Sequence, residues 1–383
     1  MKFKILIASY ISFLSLYSFS QDTSSVDKKN ALAFNANYVS DFVDNIHGGI
    51  KTGTAYLGQV NIGLTLNTKE SGLWNGGEFY IHIQNSHGAT PSANLVGDSQ
   101  VFTNIENGNY TYLYEFRYKH TFDNIWINLG IIDLNTEFIK TAEGSNFINS
   151  AFGVIPSVSG NIPLSIFPKN ALGIMLNYSI SENLSVQTSI IDGNPGSLND
   201  DPHNLKHKIS LSEGLYYSGE FIYSNQNSKY KLCGYYHSGD FVDLIDIEKT
   251  HSHNFGLYAI ADQSIITFSE TKKVNGFIQM GYAPMNRNLI DFYFGSGLNY
   301  YSPFNRKNDV AGIAVAHARL CKDYYRMYKQ TLSKTETTIE MNYSIAINKY
   351  LTVQPNIQYI INPGMSNEMN NSLVSTLRLK LSF

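Results

Sequence analysis

The chain has 383 residues and a formal net charge of −3, with 43% hydrophobic and 15% charged residues, a balance that gives no basic surface for nucleic acid. Its two cysteines, Cys233 and Cys321, are too few for a disulfide scaffold, and a free pair or a single bridge fits their count equally. The 27 Tyr, 22 Phe and 29 Gly favour β-structure with many turns and interfacial aromatics.

Residues 1–20 open with Lys2 and Lys4, continue through an apolar core from Ile5 to Leu16, and end on the small residues Ser18 and Ser20. This is the pattern of a secretory signal peptide with cleavage before Gln21, since the apolar run falls short of the ~20 residues that span a bilayer. Without Lys2 and Lys4 the 28 basic residues become 26 against 31 acidic ones, a net charge of −5. Residues 21–383 contain no run of 18 apolar residues, which excludes helical spans, and no internal repeat, so they read as one domain.

Strict two-residue alternation predicts strands at 31–39, 55–66, 75–84, 110–119, 125–132, 171–180, 184–191, 214–223 and 230–237. It continues at 253–266, 274–282, 289–300, 309–318, 337–347, 351–361 and 372–383. The even total of 16, with 14 or 18 left open by the stretch 261–301, accompanies short connections that alternate with long ones. That combination predicts an all-β fold, a transmembrane antiparallel β-barrel of about 16 strands with short periplasmic turns and longer external loops. The chain ends SLVSTLRLKLSF, an alternating strand closed by Phe383 that resembles the assembly signal of bacterial outer-membrane barrels.

The barrel reading assigns faces. In YTYLYEFRYKH, residues 110–120, Tyr112, Tyr114, Phe116 and Tyr118 alternate with Leu113, Glu115, Arg117 and Lys119. Arginine or lysine facing lipid at mid-depth costs about 2–4 kcal/mol each, so Glu115, Arg117 and Lys119 are expected in the lumen and the four aromatics toward lipid. The same rule puts Glu78, Tyr80, His82 and Gln84 inside, with Phe79, Ile81 and Ile83 outside. It also puts Glu340 and Asn342 inside, and on the last strand it separates Thr376, Arg378 and Lys380 from Leu377, Leu379 and Leu381. A lumen lined with ionisable and amide groups suits a water-filled channel, although polar groups that only solvate the wall give the same pattern.

The connection 133–170 carries Phe138, Phe147, Ile148, Phe152, Ile155 and Phe167, too apolar for a solvated segment, and is expected to fold into the barrel and narrow the pore. Asp133, Asn135 and Glu137 stand where strand meets loop and can exchange hydrogen bonds with solute hydroxyls, or shape the turn. No GxSxG motif occurs, so an outer-membrane hydrolase is the weaker reading and no catalytic residue is assigned. The pairs His203 with His207 and His251 with His253 could recruit a metal, but they lie in long external loops where exposed histidines are usually incidental, the acidic stretch 192–201 lacks EF-hand ligand spacing, and neither metal nor cofactor is expected.

Seven blocks carry a family likeness: GLWNGGEF at 72–79, GDSQVFTNIEN at 97–107, LYEFRYKH at 113–120, LGIIDLNTEF at 129–138, FINSAFGV at 147–154, IDGNPG at 191–196 and VQPNIQYIINPG at 353–364. In this order they resemble the carbohydrate-selective porin family, the OprB type, over about residues 31–383. The resemblance implies a 16-stranded barrel in the bacterial outer membrane, passive diffusion through a pore narrowed by infolded loops, and small sugars as the permeating solutes. Outer-membrane lipid and the barrel-assembly machinery, engaged through Phe383, are the other expected partners, and a homotrimer is compatible with the reading. A general or anion-preferring porin is the alternative. Against it, Glu78, Glu115 and Glu340 offset Arg117, Lys119, Arg378 and Lys380, and neutral polar solutes suit mixed sign.

Overall fold

Sixteen strands among the described residues close into one antiparallel barrel in chain order. The computed structural model describes residues 30–383, so the signal-peptide expectation lies outside the described residues. The first half of the wall comprises β1 (Leu32–Gly49), β2 (Gly53–Asn67), β3 (Gly77–Gly88), β4 (Tyr110–Thr121), β5 (Ile125–Ile132), β6 (Ala171–Ser179), β7 (Leu184–Asp192) and β8 (Leu215–Ser224). The second half comprises β9 (Ser228–His237), β10 (Asn254–Thr267), β11 (Lys273–Tyr282), β12 (Ile290–Tyr301), β13 (Val310–Leu320), β14 (Thr335–Ala346), β15 (Leu351–Ile361) and β16 (Asn370–Ser382). Closure comes from β1 against β16, in register from Asn37 opposite Ser382 to Gly49 opposite Asn370. Every strand thereby finds a partner on both sides, which leaves no open edge in lipid.

The stretch 261–301 resolves into the end of β10, then β11 and β12, which fixes the count at 16. A boundary and a face assignment depart from expectation. The first strand runs on to Gly49 rather than ending at residue 39, because Asp41 and Asn45 keep the inward alternation and find partners inside. In β4, His82 pairs with Glu115 while Ile83 pairs with Leu113, so Tyr114 is an extra residue in a β-bulge. The bulge reverses the faces on its N-terminal side. Tyr112 and Tyr114 therefore turn inward and are buried, which corrects the expectation that they face lipid, whereas Phe116 beyond the bulge stays outside at 53% exposure.

The outer wall carries the apolar residues that lipid requires, among them Phe42, Phe221, Leu232, Leu257, Ile339, Met341 and Leu377, all exposed. The longest loops, 89–109, 133–170, 193–214 and 238–253, all lie at one end of the barrel, and the other end is joined by connections of at most nine residues. The loop 133–170 folds inward as expected. Its Leu134, Phe138, Ile139, Phe147, Phe152, Ile155 and Val158 are buried against Met175, Tyr216, Tyr258, Phe277, Tyr293, Ala314, Ala316 and Ala318 of the wall. An apolar patch on the inside of a porin-like wall thus has a specific cause: it is the floor on which the loop lies. The cysteines sit apart, both buried and unbridged.

Candidate functional site

Two sets of inward-facing polar side chains divide the lumen. The first is a line of charges on β3, β4 and the start of the infolded loop. Arg117 stands between Glu78 and Glu115, with Nη1 3.7 Å from Glu78 Oε1 and Nε 3.5 Å from Glu115 Oε1. Glu115 also has His82 Nδ1 at 3.7 Å, and Lys119 Nζ lies 3.3 Å from Glu137 Oε1. Beneath the two cations are aromatic faces, Tyr80 at 4.7 Å from the Arg117 guanidinium and Trp126 at 4.3 Å from the Lys119 amine.

The chain builds this line simply. Residues two apart on β4 share a face, so Glu115, Arg117 and Lys119 form a column, and the register sets Glu78 opposite Lys119, Tyr80 opposite Arg117 and His82 opposite Glu115. Asp133 joins from the loop, accepting from Tyr114 Oη at 2.6 Å and from Asn135 N at 2.8 Å, while Asn135 Nδ2 donates to Phe138 O at 3.1 Å. Those bonds make Asp133 and Asn135 the formers of the turn that sends the loop inward. The side chains of Glu78, Lys119 and Glu137 remain 39%, 26% and 32% exposed, enough to reach water. Arg117 Nε has no hydrogen-bond partner at all, Glu115 Oε1 being too distant for one.

The second set holds the loops down. Glu340 Oε1 accepts from Ile148 N at 2.8 Å and from Asn356 Nδ2 at 2.6 Å, and its Oε2 accepts from Asn149 N at 3.1 Å. Asp262 accepts from the backbone of Ala142 and Glu143, and Glu220 from Ile139 N at 2.9 Å with Lys231 Nζ 3.2 Å away. The preceding loop, 89–109, is fastened in the same way. Glu336 accepts from Ser99 N at 2.8 Å and Gln100 N at 2.9 Å, while Arg378 pairs with Asp41 through Nε at 2.7 Å and Nη2 at 2.8 Å and reaches Asn104 and Thr103. Burial, and then the nearby Glu336 carboxylate, push Asp98 of this loop well above the usual carboxylate range.

Of the ten residues singled out in the sequence, Glu78, His82, Glu115, Arg117, Lys119, Asp133 and Glu137 come together, with Asn135 supporting the turn. Glu340 and Arg378 point inward on other strands and are buried beneath loops. Sequence reasoning did not single out Glu220, Asp262, Glu336 or Asp41. Periodicity marks Glu220 and Asp262 as inward-facing and nothing more, while Asp41 and Glu336 lie just outside the expected strands 31–39 and 337–347; the loop groups that all four hold are far away in the chain. The histidine pairs are dispersed into local bonds, His203 Nδ1 with Thr111 O at 2.8 Å and His251 Nε2 with Asp243 Oδ2 at 2.9 Å.

A sequence profile described as "Carbohydrate-selective porin, OprB family" matches residues 51–383. The chain belongs to that family. Porin B of Pseudomonas aeruginosa is 24% identical to it, over 91% of this chain and 87% of that protein, and the putative porin QuiX of Acinetobacter baylyi is 19% identical over 93% and 90%. The high-pH structure of Pseudomonas putida OprB superposes with a TM-score of 0.85 at 22% identity, covering 92% of this chain and 94% of that one. This OprB-family barrel is therefore an outer-membrane channel of the carbohydrate-selective class. Two of its family-like blocks, at 97–107 and 147–154, are the segments that Glu336, Asp41, Arg378 and Glu340 hold.

Proposed function

We propose that the channel passes small neutral sugars by diffusion and that the charge line from Glu78 to Glu137 is the element that selects them. One observation carries the reading: donors and acceptors of opposite sign alternate along the line, with aromatic faces behind both cations. A hydroxylated solute that sheds water there finds both kinds of partner within one molecular length, so the desolvation cost is offset hydroxyl by hydroxyl. A free anion meets Glu78, Glu115 and Glu137 as well as Arg117 and Lys119, and gains less. In this reading Glu78, Arg117, Lys119 and Glu137 face the solute, Glu115 and His82 stand behind Arg117 in the lining, Asp133 and Asn135 shape the loop beside it, and Glu340 and Arg378 set the bore by holding loops in place. Transport needs no catalytic step, cofactor or metal. Export by the N-terminal segment, delivery to the assembly machinery through Phe383 and association into trimers complete the proposal.

Liposome swelling with a size series of sugars, amino acids and phosphate tests it. Sugars should enter faster than charged solutes of equal size. Equal rates at equal size would reduce the protein to a general porin.

A further inference from the structure

At the long-loop mouth, away from the charge line, lies a cavity of about 540 Å³ formed where three loops meet. Its wall comes from Tyr110 at the head of β4, from the end of the infolded loop, including Phe167 and Lys169, and from Asn194 and Asn199 of the loop 193–214. The volume lies within the range of about 300–1,000 Å³ typical of small-molecule sites. Tyr110 and Phe167 pack on the buried Leu198 and stay partly open, so an apolar surface is held rigidly at the rim. Polar groups converge on it. Tyr110 Oη donates to Asn199 Oδ1, which fixes that amide and leaves its Nδ2 without a protein partner among the described residues. Lys169 Nζ is anchored by Ser197 O at 3.1 Å and Asp201 Oδ2 at 3.5 Å. The cavity at the short-turn mouth differs: it holds about 310 Å³ and is lined by Glu143, Lys229, Asp262 and Lys273, without an aromatic residue.

We infer that the loop-end cavity is a separate binding site for a pyranose ring, which docks its C–H face on Phe167 and Tyr110 and its hydroxyls on Asn199 and Lys169 before the sugar moves to the charge line. A cyclic sugar has one face of C–H bonds and an equatorial rim of hydroxyls, the complement of an aromatic shelf edged by amide and ammonium donors. An acyclic polyol offers the same hydroxyls without that face. The inference rests on the proposal that sugars are the solutes, and the placement of this shelf at the loop mouth makes it sided.

The test uses the full-length protein in planar bilayers, with glucose or sorbitol added to one side and the sugar-induced block read relative to each variant's own sugar-free current. Glucose on the loop side should block more strongly than glucose on the turn side or sorbitol on either. Phe167→Leu, which keeps an apolar side chain and removes the ring, should raise the half-blocking glucose concentration about threefold or more, the scale of one aromatic contact. Asn199→Ala, at an exposed position, should act in the same direction should Phe167→Leu insert poorly. Unchanged half-blocking concentrations in both variants, or block without sidedness, overturn the site. Liposome swelling separates the two claims: glucose entry with unchanged block in the variants removes the site and keeps the sugar channel. Loop-side block lost in Phe167→Leu without glucose entry into liposomes keeps the site and removes the channel reading.

Discussion

Glu115 on β4 and Glu340 on β14 both point into the barrel from the middle of a strand, yet their surroundings differ. Glu115 meets side chains: His82, Arg117 and, through Asp133 N at 3.4 Å, only the edge of a loop. Glu340 meets two backbone N–H groups of the infolded loop and an amide, and is fully buried. A carboxylate paired with charged side chains at 3.5–3.7 Å, with no hydrogen bond from either, can yield one of them to solute or water. One that accepts from backbone amides under a lid cannot, because releasing it would strand buried donors. The inner wall thus has a working flank and a holding flank made from the same residue type, and the partner of each carboxylate decides which is which.

The strongest way to break that comparison is to remove the holding carboxylate. Glu340→Leu leaves Ile148 N, Asn149 N and Asn356 Nδ2 without their acceptor, at about 1–3 kcal/mol for each buried donor that stays unpaired. The loop should loosen, with higher and noisier single-channel conductance and faster proteolysis between residues 133 and 170. Glu340→Gln keeps one acceptor and should show a weaker form of both effects. A wild-type conductance in Glu340→Leu would mean that the apolar contacts of Phe147 and Phe152 hold the loop alone. Next in size is the wall itself. Phe116→Lys puts an ammonium toward lipid and should cost about 2–4 kcal/mol near the midplane, read as lost folded yield by heat-modifiable migration. Tyr114→Lys, on the inward bulge, escapes the lipid cost and should retain more folded protein than Phe116→Lys. Equal losses would contradict the bulge.

How much of this was legible follows from what periodicity encodes. Alternation names the two faces of a strand, and with lipid outside that suffices for the barrel, a strand count between 14 and 18, and the inward position of Glu78, Arg117 and Lys119. It cannot see a bulge, because one extra residue leaves the local pattern of YTYLYEF undisturbed while shifting its phase; the register with β3 alone reveals Tyr114. Nor does it tell a lumen facing water from one facing a loop. Glu220 and Asp262 read like Glu115 for that reason. One signal was available and unused: Ala314, Ala316 and Ala318 alternate on the inner face of β13, and small apolar residues where polar ones were expected mark the floor under the loop. Strand β1 was cut short by the opposite error, since Asp41 and Asn45 look like loop residues until Arg378 and Ser372 appear across the closing seam.

The working flank is tested through selectivity rather than stability. Replacing Arg117 and Lys119 together with glutamine changes no lipid-facing side chain and removes two positive charges from a confined aqueous path, where screening is weaker than at an open surface. Reversal potentials across a salt gradient should move toward cation selectivity with insertion intact. Glu115→Gln should move them the other way, by less, since Glu115 is almost covered and Arg117 already shields it. Were Glu340→Gln to shift selectivity as far as Glu115→Gln, the division into two flanks would fail.

The smallest effect sharpens the comparison outside the lumen. In the loop 238–253, Asp243 copies the holding arrangement on a small scale. His251 Nε2 lies 2.9 Å from its Oδ2, and its Oδ1 accepts from Ile245 N at 2.9 Å and Asp246 N at 3.1 Å. The hydrogen bond from His251, and then those from the two backbone amides, lower its pKa to about 2. A depressed carboxylate contributes stability that is complete above its unfolded value, near 3.9, and is lost as the pH falls toward the folded one. Hydrogen exchange at Ile245 and Asp246 should therefore lose protection between about pH 4 and pH 2, beyond the intrinsic change in exchange rate. His251→Ala removes the main cause of the shift and should move that loss to higher pH. Only the hairpin of Phe241–Val242 with Thr250–His251 should respond, since the carboxylate touches no lumen residue. A conductance change that follows the same titration and moves with His251→Ala would show that this loop is coupled to the bore, and that holding is shared between the mouth and the wall.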